Sequence, residues 1–165
     1  MKHLPLIILA VALGACATQP ATRTAFVSHT ASGAFGSKLV DTTVNRNYEQ
    51  VVSDLKRKFD ECMNYSRIGA EHTGAGYKRT TSYYWATVKS VSSNKTEITF
   101  RTNATPGPPS SPDDGAIRAA TDVHRIEKGK TKVVTYTTSL FGQGAIADTV
   151  KEWSEGRSAS CPQVR

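Results

Sequence analysis

The 165-residue sequence predicts one α+β domain, an antiparallel sheet with two helices packed on one of its faces. Two segments carry apolar residues at helical spacing, and four β-prone stretches lie between them. Short turns separate most of these stretches, so we expect a meander of antiparallel strands. The predicted order is strand, helix, four-stranded meander, helix, in a single domain that spans residues 38–165.

The predicted domain begins with a short strand and the clearest helix of the chain. Residues 38–46, KLVDTTVNR, are β-prone and form the strand. In the segment that follows, Asn47 and Gln50 fit a capping box, and six apolar residues fall on one face. These six are Val51, Val52, Leu55, Phe59, Cys62 and Met63. We therefore predict a helix whose apolar face covers the sheet.

The rest of the domain supplies the meander and the second helix. Residues 69–79 contain three glycines and are predicted to form a loop. The four strands follow as SYYWATVKSV, TEITFRTNA, AIRAATDVHRIEK and TKVVTYTTSL, with the Pro- and Gly-rich TPGPPSSPDDG as an exposed loop between the second and third. The segment GQGAIADTVKEWSEG places Ile146, Val150 and Trp153 on one face and predicts the last helix.

The N-terminus has the pattern of an export signal. Lys2 precedes an uninterrupted apolar run over residues 4–15. This run is shorter than the ~20 residues that span a bilayer, but it has the length of a signal-peptide core. The run ends in Leu13-Gly14-Ala15-Cys16, which resembles the lipobox of bacterial lipoproteins at every position.

The lipobox resemblance implies a lipid anchor. In that family the cysteine sulfur, here that of Cys16, receives a diacylglycerol, and a signal peptidase cuts before it. Residues 1–15 would then be a signal peptide, and residues 16–37, rich in Ala, Thr, Ser and Gly, a lipidated flexible tether. Part of this tether could pack on the domain as an added strand. Since no Asp follows Cys16, the resemblance favours the outer membrane, with the domain facing the periplasm.

The predicted element order is itself similar to that of helix-grip folds, including the helix-grip domains of BamC-like assembly-factor lipoproteins. This similarity concerns the order of strands and helices, and no motif accompanies it. It implies a fold and no activity.

The charge of the chain favours anionic partners. Lys and Arg total 21 against 14 Asp and Glu, a net charge of +7. Removing residues 1–15 removes Lys2 and no acid, so the mature charge is +6. Anionic lipids, anionic envelope polymers and acidic proteins all fit this charge, whereas nucleic acid is not expected outside the cytoplasm. No pattern indicates an oligomeric state.

Motifs that carry catalysis, metal ions or cofactors are not evident. His29, His72 and His124 stand at no metal-ligand spacing, and no serine lies in a nucleophile motif. We therefore expect no metal and no cofactor. An envelope hydrolase that uses Glu71 and His72 in the 69–79 loop stays open as an alternative.

An aromatic and basic segment supplies the candidate ligand contacts. Lys78, Arg79 and Tyr83 lie in or beside the first strand of the meander. If they are exposed, they suit a glycan or an acidic surface. The leading hypothesis is thus a non-enzymatic envelope lipoprotein whose domain binds a partner protein or an amphiphilic, anionic ligand between helix and sheet. A membrane-held inhibitor or immunity protein is a further alternative.

The remaining cysteines are candidates for a disulfide. With Cys16 modified, Cys62 and Cys161 are the two thiols left in an oxidising compartment. If both helices cover the same sheet face, the C-terminal tail can return to the first helix and join them. The alternative is two free thiols, which suits the apolar setting of Cys62 better than the polar tail around Cys161.

We predict that Cys16→Ser abolishes acylation and leaves the precursor uncleaved, because this processing requires the lipid-modified thioether. Labelling cells with a fatty-acid analogue measures it. Equal label on the wild-type and variant proteins would contradict the lipoprotein interpretation.

Overall fold

The computed structural model describes residues 20–74, 76–105, 114–138 and 143–163, so the lipobox and Cys16 lie outside the described residues. Three helices are described: α1 Arg23–Ala31, α2 Tyr48–Met63 and α3 Gly144–Ser154. Six strands are described: β1 Ser37–Val44, β2 Tyr65–Thr73, β3 Gly76–Ser92, β4 Lys95–Thr105, β5 Ala116–Glu127 and β6 Lys130–Thr138.

The six strands form one antiparallel sheet in the order β1-β6-β5-β4-β3-β2. The predicted α+β fold class is therefore confirmed. Strands β2 to β6 form a meander, and β1 completes the sheet beside β6. The meander has one strand more than predicted, because β2 includes residues for which the glycines predicted a loop.

Helices α2 and α3 cover one face of the sheet, which we call the helix side. The α2 residues Leu55 and Phe59 and the α3 residue Trp153 are buried there in one core with Phe100 of β4. Phe59 and Trp153 meet edge to face, with ring centroids 5.8 Å apart. The prediction of two helices on one face is thus confirmed. The predicted capping box is wrong, because the side chain of Asn47 makes no capping hydrogen bond.

Helix α1 lies on the other face, which we call the open side, and it was not predicted. Its Phe26 is 1% exposed and packs against Ile117 and Ala120 of β5. One turn earlier, Arg23 Nη2 donates to Asp122 Oδ1 at 2.8 Å. Within residues 16–37, where we expected a flexible tether or an added strand, the chain therefore contains a helix that is held on the sheet by the Phe26 ring and by the ion pairs of Arg23.

A β-bulge in β5 changes which residues face each side. Phe100 lies opposite Ala119, but the next β4 residue, Arg101, lies opposite Ile117, so Arg118 is an extra residue in the ladder. Because side chains alternate along a strand, this extra residue reverses the alternation. Ile117 consequently faces the open side and joins Phe26 there.

A disulfide joins the C-terminal tail to α2. Cys62 and Cys161 are bonded, with their Cα atoms 5.2 Å apart and a sequence separation of 99. The Trp153 indole donates to the carbonyl oxygen of Ala159, which holds the tail against α3. The predicted pairing of these two cysteines is confirmed.

The helices are too short or too polar to span a bilayer. Within the described ranges, none of them is long and apolar enough to cross a membrane.

We predict that Cys62→Ala/Cys161→Ala lowers the free energy of unfolding, because the bridge restricts the unfolded chain. Chain-entropy estimates give roughly 4–5 kcal/mol for a loop of this size, and measured losses are often smaller. Denaturant titration measures the loss. Reducing agent should lower the wild-type midpoint in the same direction and leave the double variant unchanged; a wild-type midpoint that ignores the reductant would contradict the prediction.

Candidate functional site

The predicted ligand contacts do not form one site. Tyr84 of β3 stacks with Phe100 in the helix-side core, so alternation places Lys78 on the helix side as well. Arg79 and Tyr83 lie on the open side. The three predicted residues therefore belong to two different surfaces of the sheet.

Residues 69–79 form a β-ribbon and not the predicted loop. Their two halves belong to β2 and β3 and pair antiparallel, with Thr73 opposite Gly76 at the end of the ladder. Strand β4 ends opposite Thr81, so in the described part of the chain this ribbon projects beyond the sheet. The three glycines suggested several turns, but Gly69 and Gly76 lie within strands. The side chains of Glu71 and His72 lie outside the described part.

On the helix side, an aromatic stack lies at one edge of the core. The rings of Tyr65 and Tyr84 are stacked, with centroids 4.6 Å apart and planes 17° from parallel. Tyr84 also stacks with Phe100 at 6.1 Å. Tyr65 and Tyr84 are half-buried, so the stack extends the apolar core to the surface beside β2.

The bulge residue Arg118 lies next to this stack. It is half-buried, and burial lowers the pKa of its guanidinium, while the nearby Tyr84 acts in the opposite direction. Among the described residues, Tyr84 is the only side chain that acts on the Arg118 charge appreciably, and no carboxylate does so. Arg118 is thus a partly desolvated cation without an anionic partner in that part of the chain.

A second guanidinium, that of Arg67, acts on Tyr65. Arg67 has the same parity in β2 as Tyr65 and is exposed. Burial raises the pKa of the Tyr65 phenol and Tyr84 adds to the rise, while Arg67 lowers it. The net rise keeps the phenol neutral at pH 7. We call Tyr65, Arg67, Tyr84 and Arg118 the arginine–tyrosine site.

The chemistry of this site is suited to holding an anion. A guanidinium offers five N–H donors in a planar fork that matches carboxylate and phosphate oxygens. Aromatic faces beside it accept an apolar group. Tyr84 belongs to the aromatic and basic segment recognised in the sequence, but Tyr65, Arg67 and Arg118 were not predicted as site residues, and Tyr65 looked like the end of a helix. The single basic residue among apolar ones in AIRAATDV was the available signal for Arg118.

The open side has an aromatic and basic surface of its own. Helix α1 packs mainly against β1, β5 and β6 and reaches β4 through Arg23, so among the described elements no helix packs over the β2–β3 part of this face. Tyr83 is 49% exposed there, next to the half-buried Trp85, and Arg79 and Lys89 of the same strand are exposed. Arg101 lies opposite Trp85. We call these five residues the open-side patch.

Gly115 allows the Trp85 ring to pack closely against the backbone. A Cβ atom at Gly115, which has φ +77°, would lie 2.6 Å from Trp85 Cη2 and 2.7 Å from the carbonyl oxygen of Thr102. Arg101 Nη1 donates to the carbonyl oxygen of Gly115 at 3.1 Å. Gly115, just before β5, therefore packs directly against the indole ring of Trp85.

Carboxylates near the centre of the open side are neutralised within the fold. Glu97 lies 2.8 Å from Lys95 and 3.4 Å from Arg23, and Asp122 lies 2.8 Å from Arg23. Burial opposes ionisation of Glu97, but Lys95 and Arg23 keep the pKa of Glu97 below its usual value. These contacts hold α1 on the sheet. Lys89 of the open-side patch lies opposite Glu97 and also lowers its pKa, whereas Arg79 and Arg101 make no ion pair with a described carboxylate.

The histidines do not gather into a metal site. His29 is exposed in the last turn of α1, and His124 is half-buried in β5. In the described ranges, no three His, Cys, Asp or Glu side chains are placed to hold a metal ion.

We predict that Gly115→Ala destabilises the domain more than Gly33→Ala. Both glycines have nearly the same positive φ, which costs an alanine about 1–2 kcal/mol. Only Gly115 has atoms that a methyl group would strike, and overpacking adds about 1–3 kcal/mol. Denaturant midpoints of the two variants measure the difference, and equal midpoints would show that Trp85 is not held as described.

Comparisons with known proteins identify no family for this chain. No protein-family model matches it, and no curated protein does. Solved structures with similarity include a hypothetical protein from Helicobacter pylori, at 15% identity and TM-score 0.32, covering 69% of this chain and 74% of that one.

Two further solved structures show similarity of the same order. The di-domain ARO/CYC StfQ from the steffimycin biosynthetic pathway is 15% identical at TM-score 0.34, covering 71% of this chain and 41% of that one. A protein from Thermus thermophilus is 16% identical at TM-score 0.24, covering 73% of this chain and 87% of that one. All three TM-scores are too low for any of these proteins to indicate a function for this chain.

Proposed function

We propose that this protein is a lipid-anchored, non-enzymatic protein of the bacterial envelope whose domain binds an anionic amphiphile at the arginine–tyrosine site. Its anchor is the acylated Cys16, and its location is the periplasmic face of the outer membrane. The lipobox supports the anchor, and the absence of Asp after Cys16 supports the location. The unpaired, half-buried Arg118 is the observation that carries the binding role.

An unpaired arginine at this place is costly unless something binds it. Partial burial removes water from the guanidinium, and in most proteins a carboxylate offsets that loss. No carboxylate acts appreciably on Arg118 in the described part of the chain. A bound anion would supply the missing partner, and Arg67, which acts on Tyr65, adds a second positive charge.

The neighbouring residues define the other half of the ligand. Tyr65 and Tyr84 present a stacked aromatic surface that continues into Phe100. Such a surface suits an apolar group more than a second charge. The ligand therefore combines a carboxylate or phosphate head with an apolar part. Guanidinium and neutral phenol groups bind and orient such a molecule, and neither is suited to act as a general base at neutral pH.

We predict that the full-length protein binds phenyl phosphate, which carries both parts of the proposed ligand, more tightly than inorganic phosphate or phenol, each of which carries one part. Arg118→Gln should weaken phenyl phosphate binding about 10- to 100-fold, the usual range for a charge-assisted hydrogen bond in a protected site. Isothermal titration calorimetry measures the affinities.

Lys56→Gln is the matched control, because Lys56 is an exposed cation on the outer face of α2. It removes the same charge and should leave the affinity unchanged. An equal loss of phenyl phosphate affinity in both variants would show that binding depends only on net charge. Equal affinity for all three probes would refute the site.

Stability offers a second measurement of the same proposal. Because no protein anion is left unpaired when Arg118 is replaced, Arg118→Met should leave the ligand-free stability unchanged or raise it. If Arg118 instead stabilised the fold, replacing it would lower the ligand-free stability. A large drop in the unfolding midpoint of Arg118→Met would assign the residue to the core and not to a ligand.

A further inference from the structure

Helix α1 lies a short distance along the chain from the proposed lipid attachment site. Seven positions separate Cys16 from Arg23. At ~3.3–3.6 Å per residue, even a fully stretched connection reaches only roughly 23–25 Å. The start of α1 is itself fixed on the open side, where Arg23 bonds to Asp122 and to Thr99 of the sheet. The segment that carries the proposed anchor therefore joins the domain at the centre of the open side.

The two sides of the domain differ in charge. Helix α1 has no acidic residue in its nine positions. In the open-side patch, Arg79 and Lys89 are exposed, and Arg101 is held by backbone carbonyl groups. The carboxylates of this side described above, Glu97 and Asp122, are already paired with basic residues.

The two helices on the helix side carry more acidic than basic residues of their own. Helices α2 and α3 carry six acidic residues against four basic ones. The acidic residues are Glu49, Asp54, Asp60, Glu61, Asp148 and Glu152, and the basic ones are Lys56, Arg57, Lys58 and Lys151. Three of these acidic residues, Glu49, Asp54 and Asp148, are paired with basic residues from outside the helices. An anionic surface near the anchor therefore attracts the open side through the positive charge of the open-side patch.

The open-side patch also has the side chains that favour a membrane interface. Tyr83 and Trp85 combine an apolar body with a polar group, a combination that is enriched at the level of lipid head groups. Ile68 of the neighbouring strand β2 lies on the same side and is 59% exposed. Exposed aromatic and aliphatic groups beside basic ones are the composition of a surface that binds to anionic bilayers.

We propose that the open-side patch docks on the anionic head groups of the bilayer that holds the Cys16 lipid, so that the helices and the arginine–tyrosine site face away from the membrane. This inference rests on the proposed anchor, which brings the patch within reach of the bilayer. It assigns an orientation that the proposed ligand-binding role does not require.

Lipid-borne quenchers of tryptophan fluorescence test the docking. The processed, full-length protein is reconstituted in phosphatidylcholine vesicles with or without phosphatidylglycerol, and with brominated acyl chains as quencher. Of its two tryptophans, Trp85 lies in the patch and Trp153 is buried between the helices and the sheet. Quenching is expected in the anionic vesicles, should disappear in Trp85→Phe, and should weaken at high salt.

Matched charge variants separate the patch from net charge. Arg79→Gln/Lys89→Gln should reduce the ratio of docked to undocked protein about fivefold for each charge removed. Lys56→Gln/Lys151→Gln removes two charges from the outer faces of α2 and α3 and should leave the quenching unchanged. Equal loss in both double variants would overturn the proposal.

Vesicle flotation separates failure of the docking from failure of the anchor. Protein that does not float with the vesicles lacks the anchor, and this result would overturn both the proposed lipid anchor and the docking. Protein that floats while Trp85 stays unquenched keeps the anchor and overturns the docking alone. Protection of Trp85 from aqueous iodide without quenching by lipid would assign the patch to another occupant, such as a protein, and would likewise overturn the docking.

Discussion

Antiparallel pairing determines which side of the domain each side chain in the sheet occupies. Along β3, alternate residues contribute either to the buried core beneath α2 or to the surface beside α1. The pairing with β4 transmits this alternation to the next strand, and the bulge in β5 reverses it at Arg118. The arginine–tyrosine site and the open-side patch both depend on this alternation, because neighbouring residues such as Lys78 and Arg79 lie on opposite sides of the sheet.

Sequence reasoning predicted those parts of the fold whose signal is local. The apolar stripe of α2 and the β-branched strands are patterns within a few residues, and both were found in the structure. The pairing of Cys62 with Cys161 followed from the placement of two helices on one face. Helix α1 has no comparable pattern, because contacts from Phe26 and Arg23 to distant strands fasten it. Such contacts cannot be read from nine residues.

The candidate sites were less accessible to sequence reasoning for the same reason. Residues 69–79 looked like a loop because glycines usually mark turns, yet cross-strand pairing makes most of them strand. The bulge that turns Arg118 toward Tyr84 is a property of two strands in register, and neither strand shows it alone. A basic and aromatic segment was recognisable in β3, but its division between two faces required the sheet.

The disulfide also has a mechanical consequence for a chain held at its N-terminus. Force applied between the membrane and the domain enters through α1 and then β1, the edge strand that pairs only with β6 in the described sheet. Pulling α1, β1 and then α2 away extends the chain up to Cys62, roughly 150–165 Å for the 46 residues that follow Cys16. The covalent loop from Cys62 to Cys161 encloses β2 to β6 and α3 and cannot be drawn out further along the line of force. The disulfide thus limits the length to which the chain can be extended. It also keeps the arginine–tyrosine site within the covalently closed loop.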